Sequence, residues 1–154
     1  MKWITREKAR VDRIACPWLI RRFVDREAEF LYVPKEKVME IAQREGATPF
    51  DVPGAELYHY EESGKEFVTF DAFIKKYKLT DPALLALAKI VRVADGGTGD
   101  ELEAAGLEAA ATGFRLTAKD DWENQRLQFP LYDALYAYCK WKVEEKGTLE
   151  HTAR

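Results

Sequence analysis

The chain has 154 residues, of which 47% are hydrophobic and 33% are charged, and its formal net charge is −3. This composition is typical of one ordinary folded domain and excludes a disordered chain. The slight acidic excess argues against a general nucleic-acid-binding protein, which carries a basic surplus. No apolar run reaches the length of a signal peptide or a membrane span, so we expect a cytoplasmic protein without a membrane partner.

The first half of the chain predicts a small sheet. Short strands are expected at residues 2–5, 29–33 and 50–52, a helix at 35–44 ended by Gly46, and a hairpin with arms at 56–61 and 67–70 around Ser63 and Gly64. Because the strands are brief, they need a helical layer to cover them.

The second half predicts that layer. Helices are expected at residues 71–77, 82–93, 101–116 and 120–145, with Asp81 as the N-cap of the second and with Pro130 kinking or splitting the last. We therefore predict an α+β fold, in which a small β-sheet from the N-terminal half packs on a mainly α-helical C-terminal half. Residues 1–146 are expected to form a single domain, and residues 147–154 a flexible tail.

The segment around Cys16 concentrates positive charge and a thiol at the start of a further expected helix. Pro17 favours an extended Cys16 and suits the first helical position, so the thiol would lie near the positive end of the helix dipole. Arg13 precedes this helix, while Arg21 and Arg22 lie off its apolar face. Such a cluster favours an anion.

The order of several sequence blocks resembles the C-terminal domain of the chromate resistance protein B family. The matching blocks are residues 11–23, 28–34, 46–54, 69–71, 79–84, 90–92, 94–95 and 132–137. This resemblance implies a role in chromate resistance or in chromate-responsive regulation, without defining a reaction. Relatives carry a cysteine where this chain has Val68 and a shorter loop where it has residues 61–66, so Cys16 remains the thiol in a matching motif.

His59 is the first candidate metal ligand, because His151 falls in the expected tail. Glu56 precedes His59 by three residues, and Asp95 follows an expected helix and precedes a glycine-rich turn. The resemblance implies that these three positions are kept polar, and Asp133 is a further candidate. One imidazole with carboxylates favours a divalent metal such as Zn, Mn or Fe. The alternative is a solvated hairpin with a partly buried histidine.

The cysteine and the arginines each have two interpretations. Cys16 and Arg21 are candidate catalytic residues, and Arg13 and Arg22 are candidates for holding an oxyanion such as chromate, whose tetrahedral shape suits guanidinium donors. A thiolate at Cys16 would reduce chromate or bind a metal. Otherwise Cys16 is a small buried residue, and the arginines form salt bridges with Asp12, Asp25 and Glu27.

Three functions follow from these candidates. The first is a domain that binds a divalent metal and an oxyanion, acting as a metal-dependent enzyme in chromate detoxification. The second is a ligand-sensing regulatory domain without catalysis, and the third is a structural or partner-binding module. Both cysteines, Cys16 and Cys139, are expected to be free thiols. No nucleic-acid partner is expected, and a homodimer is allowed for.

Overall fold

The computed structural model describes the backbone of residues 1–152 and the side chains of residues 1–146. Its strands are β1 (Lys2–Arg6), β2 (Glu29–Val33), β3 (Thr48–Pro49), β4 (Tyr60–Glu62) and β5 (Lys65–Phe67). Its α-helices are α1 (Asp12–Leu19), α2 (Val38–Glu45), α3 (Thr69–Lys76), α4 (Pro82–Ala94), α5 (Glu103–Thr117) and α6 (Asp121–Thr152).

The larger sheet is parallel and has the order β2-β1-β3. Strand β1 pairs with β2 from Lys2 opposite Glu29 to Arg6 opposite Val33, and with β3 on its other side. Parallel neighbours need crossover connections, which α1 and α2 supply. The strand predicted at residues 50–52 lies earlier, at β3, and Phe50 continues from it by bonding the Ile4 carbonyl and bridging Leu57.

The hairpin around Ser63 and Gly64 is confirmed, with shorter arms than predicted. Strands β4 and β5 pair antiparallel, and both turn residues have positive φ, 54° at Ser63 and 75° at Gly64, as a two-residue hairpin turn requires. His59 therefore precedes the strand that was expected to contain it.

Helix α1 begins at Asp12, so the prediction that Pro17 opens this helix is wrong, and Cys16 is helical rather than extended. An internal proline removes the N–H that would bond the carbonyl four residues earlier, here that of Arg13. The Tyr32 hydroxyl lies 3.1 Å from this carbonyl and 2.9 Å from Gln125 Oε1, so its single proton is shared between two acceptors and compensates in part for the missing bond. The helix then widens into a π-helical turn at Ile20–Val24.

The predicted C-terminal helices are confirmed, including the Asp81 cap, which accepts the Ala83 and Leu84 N–H groups at 2.9 and 3.2 Å. The predicted split at Pro130 does not occur, since α6 is one continuous helix. Gln128 and Tyr132, on either side of this proline, both donate to backbone carbonyls of the 8–11 loop and hold both halves against it. The tail predicted at residues 147–154 lies outside the fully described residues.

One buried cluster joins the larger sheet to the helices. Its largest members include Trp3, Trp18, Phe50, Phe70 and Tyr132, drawn from both halves of the chain. A smaller cluster around Ile4 and Val38 lies between the sheet and α2. The predicted α+β fold is thereby confirmed. Among the described residues, no helix combines the length and apolar character that crossing a membrane requires.

Tyr32→Phe is expected to lower the free energy of unfolding by about 1–3 kcal/mol, because it removes the buried hydroxyl that serves the Arg13 carbonyl and Gln125 Oε1. Urea unfolding followed by circular dichroism measures this loss. Tyr77→Phe is the matched control, since the Tyr77 hydroxyl has no hydrogen bond with the described residues. Equal stabilities of the two variants would contradict the assigned role of Tyr32.

Candidate metal centre

Three segments bring Asp12, His59 and Asp95 together. Asp12 begins α1, His59 lies in the loop before β4, and Asp95 caps the C-terminal end of α4. One potential ligand atom from each of the three side chains lies within 4.8 Å of the others. The group lies near the carboxyl edge of the parallel sheet, where α/β folds commonly place ligands.

The Asp12 carboxylate is 1% exposed and bonds the N-terminus of α3. It accepts the Thr69 N–H at 2.8 Å and the Phe70 N–H at 3.1 Å, and the Cys16 thiol donates to it at 3.5 Å. Burial, followed by the nearby charges of Asp95 and Asp51, raises the pKa of Asp12 well above its usual value. The ionised form of Asp12 therefore needs compensating positive charge.

Asp95 leads into a sharp turn, in which Gly96 has a φ of 98°. The backbone N–H of Asp12 favours the ionised form of this carboxylate and lowers its pKa, so the end of α4 lies beside the start of α1. Burial and the charge of Asp51 raise the pKa of Asp95 to about 6, while His59 opposes this shift. Asp12 and Asp95 thus carry like charges at close range.

Asp51 orients the imidazole. Its Oδ1 lies 2.7 Å from His59 Nε2 and accepts the Thr69 hydroxyl at 2.7 Å, while its Oδ2 lies 3.5 Å from Arg13 Nε. The hydrogen bond with Asp51 raises the pKa of His59, and burial opposes this effect. Asp51 is 7% exposed, so the pair is shielded from solvent on the carboxylate side.

The donor set fits a divalent cation. Asp12, Asp51 and Asp95 gather three carboxylates in a largely buried place, where Arg13 forms the ion pair with Asp51. Buried charges are stable when they are paired or when they coordinate a metal. One imidazole and two carboxylates, from His59, Asp12 and Asp95, are ligands that suit Mn, Fe or Zn.

The group opens into a cavity of about 330 Å³. The cavity is lined by Arg6, Arg10, Val11, Asp12, Arg13, Asp51, His59, Asp95 and Arg115. His59 and Asp95 also line a second cavity of about 320 Å³, between the β4–β5 hairpin and the turn after α4. The candidate centre is therefore accessible from two sides.

Hydrogen bonds from α6 fix the loop that leads into Asp12. Asp121 accepts the backbone N–H groups of residues 8 and 9, and Asn124 donates to the carbonyl of residue 9. Gln128 and Tyr132 donate to the next two carbonyls. These hydrogen bonds along one face of α6 fix the position at which α1 begins, and with it the positions of Asp12 and Arg13.

Two predicted metal ligands lie elsewhere. Glu56 pairs with Lys76 at 3.1 Å, and its side chain is 77% exposed. Asp133 accepts the Trp18 indole N–H at 2.9 Å and pairs with Arg22 at 3.2 Å. The structure therefore does not bring Glu56 or Asp133 to His59 and Asp95.

Of the predicted arginines, Arg13 and Arg22 for the oxyanion and Arg21 for catalysis, only Arg13 lines the cavity. Arg21 donates to the Ala28 carbonyl and lies over the Phe30 ring, because its guanidinium folds back along the first crossover. Arg22 pairs with Asp133 in an interaction that links the π-helical turn to α6. Arg21 and Arg22 thus have structural partners away from the cavity.

Cys16 does not have the low pKa that a position at the start of a helix would favour. Its side chain is fully buried inside α1, and burial, followed by the charge of Asp12, raises the pKa of its thiol well above the usual value. The helix starts at Asp12 rather than at Pro17, so the dipole does not act on Cys16 as predicted. Cys16 packs in the core beside Asp12.

Sequence reasoning missed Asp12 as a ligand and Asp51 as the partner of His59. Asp12 was weighed only as the salt-bridge partner of an arginine, and Asp51 only as part of a brief strand. Both residues lie within blocks that carry the family resemblance, at 11–23 and 46–54. An acidic residue inside such a block and next to apolar neighbours was the available signal.

Comparisons with known proteins show the family of the chain, over a range that contains the candidate site. A family model described as "ChrB, C-terminal domain" matches residues 3–139. Protein ChrB of Cupriavidus metallidurans is 36% identical over 121 residues, which cover 78% of this chain and 35% of that relative, so the chain spans about a third of its length. No solved structure matches the chain. The chain belongs to the family of ChrB C-terminal domains, the chromate-resistance family that its sequence resembles.

Proposed function

We propose that this domain binds a divalent metal ion through Asp12, His59 and Asp95 and receives a small oxyanion such as chromate beside it. The observation that carries the proposal is the convergence of these three side chains at the wall of one polar cavity. Of the ligands that the sequence suggested, His59 and Asp95 are kept, and Asp12 takes the place of Glu56 and Asp133. Arg13 lies at the same wall and brings positive charge to it.

A bound divalent ion would supply a Lewis acid that attracts an oxygen atom of the anion. Asp51 holds the His59 ring through its hydrogen bond, and Thr69 in turn holds Asp51. The same Nε2 atom lies 4.0 Å from Asp95, so a metal ion bound to it would replace the Nε2–Asp51 hydrogen bond and bring the ion close to the Asp51 carboxylate as well. The protein's own contribution is therefore a fixed set of ligands at the floor of an accessible cavity.

The two thiols favour ligand sensing over reduction of chromate by the chain itself. Cys16 is fully buried, and Cys139 is 2% exposed. Burial raises the pKa of Cys139 to about 11 and that of Cys16 well above its usual value, so neither thiol supplies an exposed thiolate. A metal-dependent enzyme at this site would need an electron donor from outside the chain.

The family membership supports the chromate assignment, because the matched relative is named ChrB. The match covers 35% of that relative, so the activity and partners of the whole relative are not assigned to this chain. We therefore propose for this chain only binding of the metal and the oxyanion. The homodimer and the cytoplasmic location stay predictions.

Protein purified without an affinity tag is expected to bind about one divalent ion per chain. His59→Ala and Asp95→Asn should each weaken this binding about a hundredfold or more, because each removes a ligand. Calorimetric titration with Mn²⁺ and Zn²⁺, supported by elemental analysis, measures the loss.

Glu56→Ala is the matched control for this titration, since Glu56 is an exposed carboxylate three residues from His59. It should bind metal like the parent chain. Asp95→Asn should stay folded without metal, because it removes one of the like charges around Asp12. Equal losses in Glu56→Ala and His59→Ala, or unchanged binding in all variants, would contradict the assigned ligands.

In a Cys139→Ser variant, Cys16 is expected to react with Ellman's reagent at least about a hundredfold more slowly than free cysteine at pH 8, because reaction requires local opening. The rate should rise with pH beyond the range in which free cysteine levels off, since the pKa of Cys16 is raised. Rapid labelling at pH 8 would contradict the buried-thiol assignment and restore a redox role for Cys16.

A further inference from the structure

We infer that Arg6, Arg10 and Arg115 form a subsite for a doubly charged tetrahedral oxyanion, next to the metal centre. This inference rests on the proposed function and specifies how its oxyanion is held. None of these three arginines is one that the sequence suggested. Arg13, which the sequence did suggest, lines the same cavity beside them. Arg6 ends β1, Arg10 lies in the loop before α1, and Arg115 is near the C-terminal end of α5.

Arg6 and Arg10 lie four residues apart and Arg115 comes from the second half of the chain, and all three residues line the same cavity as Asp12, His59 and Asp95. Val11 is the one apolar residue among the lining residues. A cavity with this lining does not suit an apolar ligand. Arginine presents paired donors in a fixed plane, which match the oxygen atoms of tetrahedral anions.

Arg6 lines the cavity and also has a donor without a partner in the described part of the chain. Its Nε is buried and has no hydrogen-bond partner among the described residues. A buried N–H without an acceptor is unfavourable, and native proteins supply one from protein, water or ligand. The charge of Arg6 also acts on its neighbours, because it contributes to lowering the pKa of Arg13 and opposes protonation of His59.

Two of the four arginines that line the cavity have no ion pair with a described carboxylate. Arg10 lies 3.7 Å from Glu108, and Arg13 lies 3.5 Å from Asp51. No described carboxylate forms an ion pair with Arg6 or Arg115. By contrast, Arg22, which the sequence also suggested, pairs with Asp133.

Charge balance then selects the valence of the anion. A divalent ion bound by Asp12 and Asp95 is neutralised by these two carboxylates, and Asp51 is matched by Arg13. Arg10 is matched by Glu108, so the cavity keeps the charges of Arg6 and Arg115. A dianion neutralises both, whereas a monoanion leaves one uncompensated.

The test is a calorimetric titration of the metal-loaded chain with sulfate, at constant ionic strength, in Arg6→Gln, Arg115→Gln and the parent. Each substitution should weaken sulfate binding about tenfold or more, the loss expected for a charge-assisted hydrogen bond. Arg126→Gln is the control, because Arg126 is an exposed arginine outside the cavity and should bind like the parent. Chromate shares the charge and shape of sulfate and should show the same order of affinities.

Perchlorate tests the charge requirement, since it is tetrahedral but carries one negative charge. It should bind at least about tenfold more weakly than sulfate. Equal affinities for perchlorate and sulfate would overturn the preference for a dianion.

Arg115 is exposed, so Arg115→Gln keeps the test valid if Arg6→Gln fails to fold. Equal sulfate affinity in Arg115→Gln and Arg126→Gln, with metal uptake intact, would overturn the subsite and leave the metal centre standing. Sulfate binding that is lost in Arg115→Gln, in a chain that takes up no metal, would support the subsite while the metal centre fails.

Discussion

The buried carboxylate of Asp12 is the constraint on which this structure depends. Asp12 begins α1 in the N-terminal half, its carboxylate accepts two N–H groups at the start of α3, and its backbone N–H lies beside Asp95 at the end of α4. The two hydrogen bonds to the carboxylate lower the cost of burying its charge, because they replace lost hydration. The same contacts bring three chain segments to one point, and the candidate site lies there.

Contacts outside the ligand set hold the surroundings of His59. Arg92 forms a two-fold ion pair with Asp71, at 2.8 and 3.0 Å, and its guanidinium lies over the Phe67 ring. The turn after α4 contacts the hairpin closely, since a Cβ at Gly97 would lie 2.9 Å from the Glu66 carbonyl. Hairpin, α3 and α4 therefore form one support for the loop that carries His59 and for the turn that carries Asp95.

Much of the fold could be predicted from local signals. The apolar β2 strand, the Asp81 cap and the Ser63–Gly64 turn depend on chemistry within a few residues. The start of α1 could not be predicted in this way. The hydroxyl that reaches the carbonyl left free by Pro17 belongs to Tyr32, which lies on β2. Likewise, residue type singles out His59 and Asp95, whereas Glu56 is close to His59 in sequence but forms an ion pair with Lys76 in the fold. The roles of Asp12 and Asp51 require knowing which N–H groups, hydroxyls and rings approach them across the fold.

The central claim is that one metal ion lies between Asp12, His59 and Asp95. The most direct measurement is diffraction from crystals grown with Mn²⁺ or Zn²⁺, with anomalous data collected on both sides of the metal's absorption edge. The account predicts one strong anomalous peak within bonding distance of both carboxylates and the imidazole, and no peak at Glu56 or Asp133. A metal peak at Glu56 or Cys16, or a fully occupied crystal surface site with none beside Asp12, would contradict it.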